Sequence, residues 1–211
     1  TTTFSAAATS YGDDTLTYSW DFGDNSPTVE GETVNHQFAD NGTYTVTLTV
    51  TNAGGSTQQT FTVNVDNVSP VVEAGDNQIT LQGTTVNFDG AFTDPGILDT
   101  HTIEWDFGDG NVVTDNLNPT HTYTQNGNYT VTLTVTDDDG ARTQDTLTVQ
   151  VNNVAPTITE ITGDTVINEG DTANYTATVT DPGDDKFTYT WNFGDGTDSV
   201  TGENVSSTDG S

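Results

Sequence analysis

The sequence predicts an all-β chain folded as tandem antiparallel sandwiches. Three observations carry this expectation. Thr fills about a fifth of the 211 residues, with Val, Tyr and Phe beside it, and all four are strand formers. Apolar and polar side chains alternate in short runs, the period of a strand with one buried face. The whole pattern recurs with a period near 86 residues.

The repeat is marked by Trp20, Trp105 and Trp191. They stand in Tyr18-Ser-Trp-Asp-Phe-Gly-Asp24, Ile103-Glu-Trp-Asp-Phe-Gly-Asp-Gly110 and Tyr189-Thr-Trp-Asn-Phe-Gly-Asp-Gly196, 85 and 86 residues apart. His36 and His121 each follow their Trp by 16 residues. Asn41-Gly-Thr-Tyr-Thr-Val-Thr-Leu-Thr-Val50 matches Asn126-Gly-Asn-Tyr-Thr-Val-Thr-Leu-Thr-Val135, and Asp66-Asn-Val-Ser-Pro70 matches Asn152-Asn-Val-Ala-Pro156. The expected domains are 1–66, a repeat without its first strand; 67–153, a complete repeat; and 154–211, a repeat without its last strands. Half sandwiches leave open edges. The expectation is therefore that the parent protein continues in both directions, or that another chain completes the ends.

The strands of the second repeat follow in order. Val86, Phe88 and Phe92 alternate up to the turn at Asp94-Pro95-Gly96. Ile103, Trp105 and Phe107 form the next run, and Gly108-Asp109-Gly110 ends it. Tyr129, Val131, Leu133 and Val135 alternate with Thr and Asn as far as Asp137-Asp-Asp-Gly140. Leu147, Val149 and Val151 close the repeat. Turn signals about every ten residues describe an antiparallel sandwich. Trp105 occupies the place of the buried core Trp on the third main strand of immunoglobulin-type sandwiches.

Trp-Asp-Phe-Gly-Asp-Gly, then His-x-Tyr, then Gly-x-Tyr-x-Val-x-Leu-x-Val resembles the polycystic kidney disease (PKD) domain, in three copies over nearly the whole chain. Departures are Gly23-Asp-Asn-Ser26 in place of Gly-Asp-Gly, Phe38 in place of Tyr, and Asn192 in place of Asp; none removes a core position. The resemblance implies an immunoglobulin-like (PKD-type) β-sandwich of extracellular surface proteins, adhesins and secreted hydrolases. It implies interaction or spacing rather than catalysis. It also implies that His36 and His121 lie against the Trp-Asp-Phe turn as structural hydrogen bonders.

Composition narrows the partners. Lys and Arg total 2 against 32 Asp and Glu, a formal charge of −30. Nucleic acid binding needs cations to neutralise phosphates, and anionic membrane surfaces would repel this chain. No apolar run approaches the roughly 20 residues of a membrane-spanning helix. Such a charge is accommodated by high salt, which screens it, or by bound divalent cations. Low hydrophobicity with high charge also describes disorder, which the regular alternation argues against. Cys is absent, so a small extracellular domain must rely on its core, on metal or on its neighbours.

Two groups of residues are candidates for chemistry. Asp106 and Asp109 are paired carboxylates, the type used in acid–base catalysis. The recurrence of their loop in every repeat instead reads as a structural Asx and Gly turn. No Ser/His/Asp or Cys/His arrangement, phosphate loop or zinc motif occurs, so no enzyme is expected. The acidic loops are the metal candidates. In an immunoglobulin-type topology the loop after the second strand and the last hairpin loop share the pole where the chain enters. This brings Asp94 and Asp99, Asp137, Asp138 and Asp139, and the linker residues Asp66 and Asn67 together at the first junction between repeats. Calcium takes six to eight oxygen ligands of these kinds, and without a cation the cluster repels itself. Some calcium-binding PKD domains of secreted hydrolases have a site of this kind. A weaker set at the second junction is Asn152, Asn153, Asp181, Asp184 and Asp185. Sequons occur at Asn41, Asn67, Asn128, Asn174 and Asn204.

The function expected is that of a non-catalytic extracellular or cell-surface segment, a structural and adhesive rod or fibre with calcium at its junctions. The alternative is an accessory spacer or substrate-binding array of a secreted hydrolase. Expected partners are other copies of itself or neighbouring repeats, or an extracellular polysaccharide or protein.

Overall fold

The structure is a computed structural model, and it describes residues 1–10, 14–183 and 185–205. It is built from strands. The first repeat contains β1 (Thr2–Ser5), β2 (Thr17–Asp21), β3 (Val29–Glu30), β4 (Thr33–His36), β5 (Gly42–Asn52) and β6 (Gly55–Val65). The second contains β7 (Val71–Glu73), β8 (Gln78–Leu81), β9 (Thr85–Asn87), β10 (Ala91–Thr93), β11 (His101–Asp106), β12 (Val112–Thr114), β13 (Thr120–Thr122), β14 (Gly127–Asp137) and β15 (Arg142–Asn152). The third adds β16 (Thr157–Gly163), β17 (Tyr175–Thr180), β18 (Lys186–Trp191) and β19 (Val200–Val205). No helix among the described residues is long and apolar enough to cross a membrane.

The chain divides into two compact units whose limits differ from those of the repeats. The first unit is Thr1–Val71 with the loop segments Phe92–Thr102 and Val135–Thr143. It holds a four-stranded sheet of order β3-β2-β5-β6 and the pair β1-β4. β5 and β6 pair along their full length, from Gly42 opposite Val65 to Asn52 opposite Gly55. Phe4, Trp20, Phe22, Val34 and Val46 form its core. The Trp20 indole N–H donates to the Gly31 carbonyl at 2.9 Å, so its one polar atom is satisfied inside. Because the sheet ends at β6, Phe61 stays 42% exposed, whereas its repeat equivalent Leu147 is buried.

The second unit comprises Val72–Ala91, Ile103–Thr134 and the chain from Gln144 onward. Its main sheet has the order β12-β11-β14-β15-β8. Trp105, Phe107, Phe88, Leu133 and Val149 are fully buried there, as their alternating positions predict. Most pairs are antiparallel, but β8 lies parallel to β15, with Val149 opposite Gln78 and Asn152 opposite Leu81. Alternation alone does not show this pair. The chain first runs as β7 beside β10, crosses at Gly75 with φ 94°, and then joins the other sheet as β8. Asp145 accepts from the Ala74 N–H at 2.8 Å and Asn77 accepts from the Thr148 N–H at 2.7 Å, which fixes the crossing. In the third repeat β16-β17 and β18-β19 are separate two-stranded sheets. Ile158, Ile161, Tyr175 and Tyr189 on them remain exposed.

Candidate metal centre

The Trp-Asp-Phe-Gly-Asp turns are structural. Asp21, Asp106 and Asn192 each accept from the N–H two residues on, that of Gly23, Gly108 and Gly194, at 2.9 Å. Gly108 has φ 76°, and a Cβ on it would lie 2.5 Å from the Thr130 carbonyl oxygen. The second Asp of each turn repeats the device: Asp24 accepts from Ser26, Asp109 from Asn111 and Asp195 from Thr197. The free oxygen of Asp24 meets His36 Nε2 at 2.6 Å, and that of Asp109 meets His121 at the same distance. Each imidazole stacks on the Phe of its turn, His36 on Phe22 and His121 on Phe107, within 4° of parallel. Burial pushes the Asp24 and Asp109 carboxyls up, but hydrogen bonds to Ser26 and His36, and to His121 and Asn111, outweigh it and hold both below the ordinary value.

The acidic residues gather in the first compact unit. An Asx turn starts the loop after β10: Asp94 Oδ1 accepts from the Gly96 N–H at 2.9 Å. The turn bends the chain back so that Asp99 lies against Gly96, where a Cβ would collide with the carboxylate. In the β14–β15 hairpin, Asp137 closes its own turn, with Oδ1 accepting from the Ala141 N–H at 2.7 Å. Its Oδ2 accepts from the Asn67 amide of the linker at 2.8 Å. Asp138 accepts from the Thr100 N–H at 3.1 Å, tying one loop to the other. Linker, first loop and hairpin are thus brought together as the topology predicts.

Two groups of carboxylates result, Asp94 with Asp99 and Asp137, and Asp40 with Asp99 and Asp139, each offering oxygens within 4.8 Å of one another. Asp99 belongs to both. Its Oδ1 is buried with no hydrogen-bond partner among the described residues. Burial, and then the charges of Asp94, Asp40, Asp138 and Asp139, push its carboxyl above the ordinary value. Asp137 is driven the other way, chiefly by the Asn67 hydrogen bond. A centre of hard oxygens with one orphaned carboxylate oxygen fits a cation such as calcium. Zinc sites are instead dominated by His nitrogen and Cys sulfur, and neither group contains a His or a Cys.

The placement differs from the sequence expectation in several residues. Asp66 and Asp138 are in neither carboxylate group. Asp40 and Asn41 were missed; Asn41 donates to Asp139 at 3.0 Å. Their signal was hidden inside the Asn-Gly strand motif. His101 was also missed: its Nε2 lies 3.1 Å from Asp94 Oδ2. At the second expected site, the Asn152 carbonyl and side-chain oxygens accept from Gln82 and Gln150. Asn153 lies exposed just beyond β15. Asp181 accepts from the Gly183 N–H, and Asp185 has a buried Oδ2 without a hydrogen-bond partner among the described residues. Asp184 lies outside the described residues, and no third carboxylate joins this pair among those described.

Known proteins resemble the chain in its repeats. A family model described as the PKD domain matches residues 1–66, 67–151 and 153–208. Collagenase ColA of Clostridium perfringens is 33% identical over 113 residues, covering 54% of this chain and 10% of that protein. Collagenase ColQ1 of Bacillus cereus is 33% identical over 97 residues, 45% of this chain and 10% of the enzyme. Pre-pro-metalloprotease PrtV of Vibrio cholerae is 35% identical over 98 residues, 44% of this chain and 10% of that protein. The chain thus spans about a tenth of the length of these curated relatives. Among solved structures, the PKD1 domain of Vibrio anguillarum Epp is 33% identical, with 41% of this chain and 96% of that one covered and a TM-score of 0.33.

Proposed function

The chain belongs to the PKD domain family, and from that premise we propose that it is a non-catalytic extracellular or cell-surface segment, a structural and adhesive rod stiffened by calcium. The observation that carries the calcium reading is Asp99. Its buried, unpartnered oxygen sits among four other carboxylates that raise its proton affinity. Asp94, Asp99 and Asp137 would hold the ion, with Asp40 and Asp139 beside Asp99. A divalent cation there cancels the mutual repulsion. Asn67 already binds the linker to Asp137. An ion on the same carboxylate would restrict the linker and both loops together, and so remove bending freedom between repeats.

Small-angle scattering of the chain tests this reading. Added calcium is expected to give a longer maximum dimension and a narrower distribution of shapes than chelator does. The same flexible profile in both conditions contradicts it.

A second reading is favoured by the relatives, which are collagenases and a metalloprotease. In it the repeats are an accessory array that spaces a protease domain from its substrate or holds it close. The sequence adjoining this chain in its parent discriminates: further repeats support the rod, and a protease domain supports the array.

A further inference from the structure

We propose that the acidic centre holds two calcium ions side by side, and that the second ion joins the repeats through Asp40 of the first. This rests on the calcium reading and goes beyond it in the number of ions and in the task of each. The carboxylates form two groups, Asp94 with Asp99 and Asp137, and Asp40 with Asp99 and Asp139. Within each group the oxygens lie within 4.8 Å of one another. Calcium binds its oxygens at about 2.3–2.6 Å, so two ligands of one ion stand at most about 5 Å apart. Each group meets that condition by itself.

Asp99 is the shared member. A carboxylate has two oxygens and can give one to each ion. Its Oδ1 is buried with no hydrogen-bond partner among the described residues, a cost that a bound cation removes. Charge balance favours the second ion. The two groups together hold five carboxylates. One divalent ion leaves three of those five charges uncancelled, in a chain of formal charge −30, and a second ion leaves one.

The two positions differ in what they fasten. Asp94, Asp99 and Asp137 all belong to the second repeat, whereas Asp40 stands in the turn between β4 and β5 of the first. That turn already touches the second repeat. The Leu98 N–H donates to the Ala39 carbonyl at 3.3 Å, and Asn41 donates to Asp139 at 3.0 Å. The inner ion therefore ties loop to hairpin within one repeat, and the outer ion ties one repeat to the next. The Asp94 side chain is 3% exposed and Asp137 5%, while Asp139 is exposed. Solvent and salt screen the inner position less, so it fills at lower calcium and the junction locks only at higher calcium.

Equilibrium dialysis of the whole chain against calcium counts the ions, and comparison with the native chain cancels any bound elsewhere. Asp40→Asn and Asp139→Asn, placed on separate turns, are each expected to bind one ion fewer and to lose the weaker binding step. Asp99→Asn is expected to bind two fewer. Small-angle scattering of Asp40→Asn in calcium is expected to keep the flexible profile that the native chain shows in chelator. Loss of only one ion in Asp99→Asn, an unchanged count in both turn variants, or native stiffening of Asp40→Asn overturns the proposal and leaves the calcium reading standing. No ion lost in Asp99→Asn overturns both.

Discussion

Asn67 donates its side-chain amide to Asp137 Oδ2 at 2.8 Å across 70 positions of sequence. The linker at the start of the second repeat is thereby fastened to the hairpin near its end. Asp137 is only 5% exposed and its other oxygen already serves Ala141. Removing the amide strands a buried carboxylate oxygen. Asn67→Ala is therefore expected to lower the melting temperature by roughly 2–6 °C in chelator. A melt unchanged within 1 °C, by the same order-of-magnitude scale, would show that the contact contributes nothing.

Acidity should act through two opposed sets of carboxyls. Asp24, Asp109 and Asp137 are held below their ordinary values. Their stabilisation is present above the unfolded value near pH 4 and lost as pH falls through the folded values. Asp99 is raised, so its contribution is present below about pH 4 and lost as pH rises through its folded value. Urea unfolding from pH 2 to 8 in chelator should therefore show stability falling steeply on the acid side. Asp99→Asn should remove a decline on the neutral side. A neutral limb identical in the variant would contradict the assignment.

The signature turn should be intolerant at one position. Gly108 combines a left-handed φ of 76° with the Thr130 carbonyl where its Cβ would be. Gly108→Ala is expected to cost about 1–3 kcal/mol in denaturant unfolding. A loss well under this range would mean that the turn relaxes freely.

Gln82 should matter although it is neither apolar nor acidic. It is 2% exposed, donates from Nε2 to the Thr124 carbonyl at 2.8 Å, and its own N–H donates to the Asn152 carbonyl at 2.9 Å. Gln82→Leu removes that donor from the Thr124 oxygen, an expected loss of about 0.5–1.5 kcal/mol. Equal stability in the two proteins would show that water replaces the amide.

Strand positions and core were legible because period-two alternation is a local signal: Trp105, Phe107, Val131, Leu133 and Val149 all stand where the alternation places them. The turns were legible because Asp106 and Gly108 act within two residues of each other. The parallel placement of β8 was not, since it depends on a crossing at Gly75 and on Asp145 and Asn77, residues far apart in sequence. The candidate centre was legible in part. Asp94, Asp99 and Asp137 stand in loops that the topology brings together. Asp40 lies in a turn of the first repeat that only the folded chain carries to Asp99. Its role is set by tertiary proximity, which no spacing rule records.

The most direct test is a thermal melt of the chain in excess calcium and in chelator, repeated with Asp99→Asn. Binding to the native state adds about 2.7 kcal/mol at a hundredfold excess over the dissociation constant. That corresponds to a rise of roughly 5–11 °C for a chain of this size. The calcium reading predicts such a rise in the native sequence and its loss in Asp99→Asn. Superimposable melts of the native chain in calcium and in chelator would contradict it.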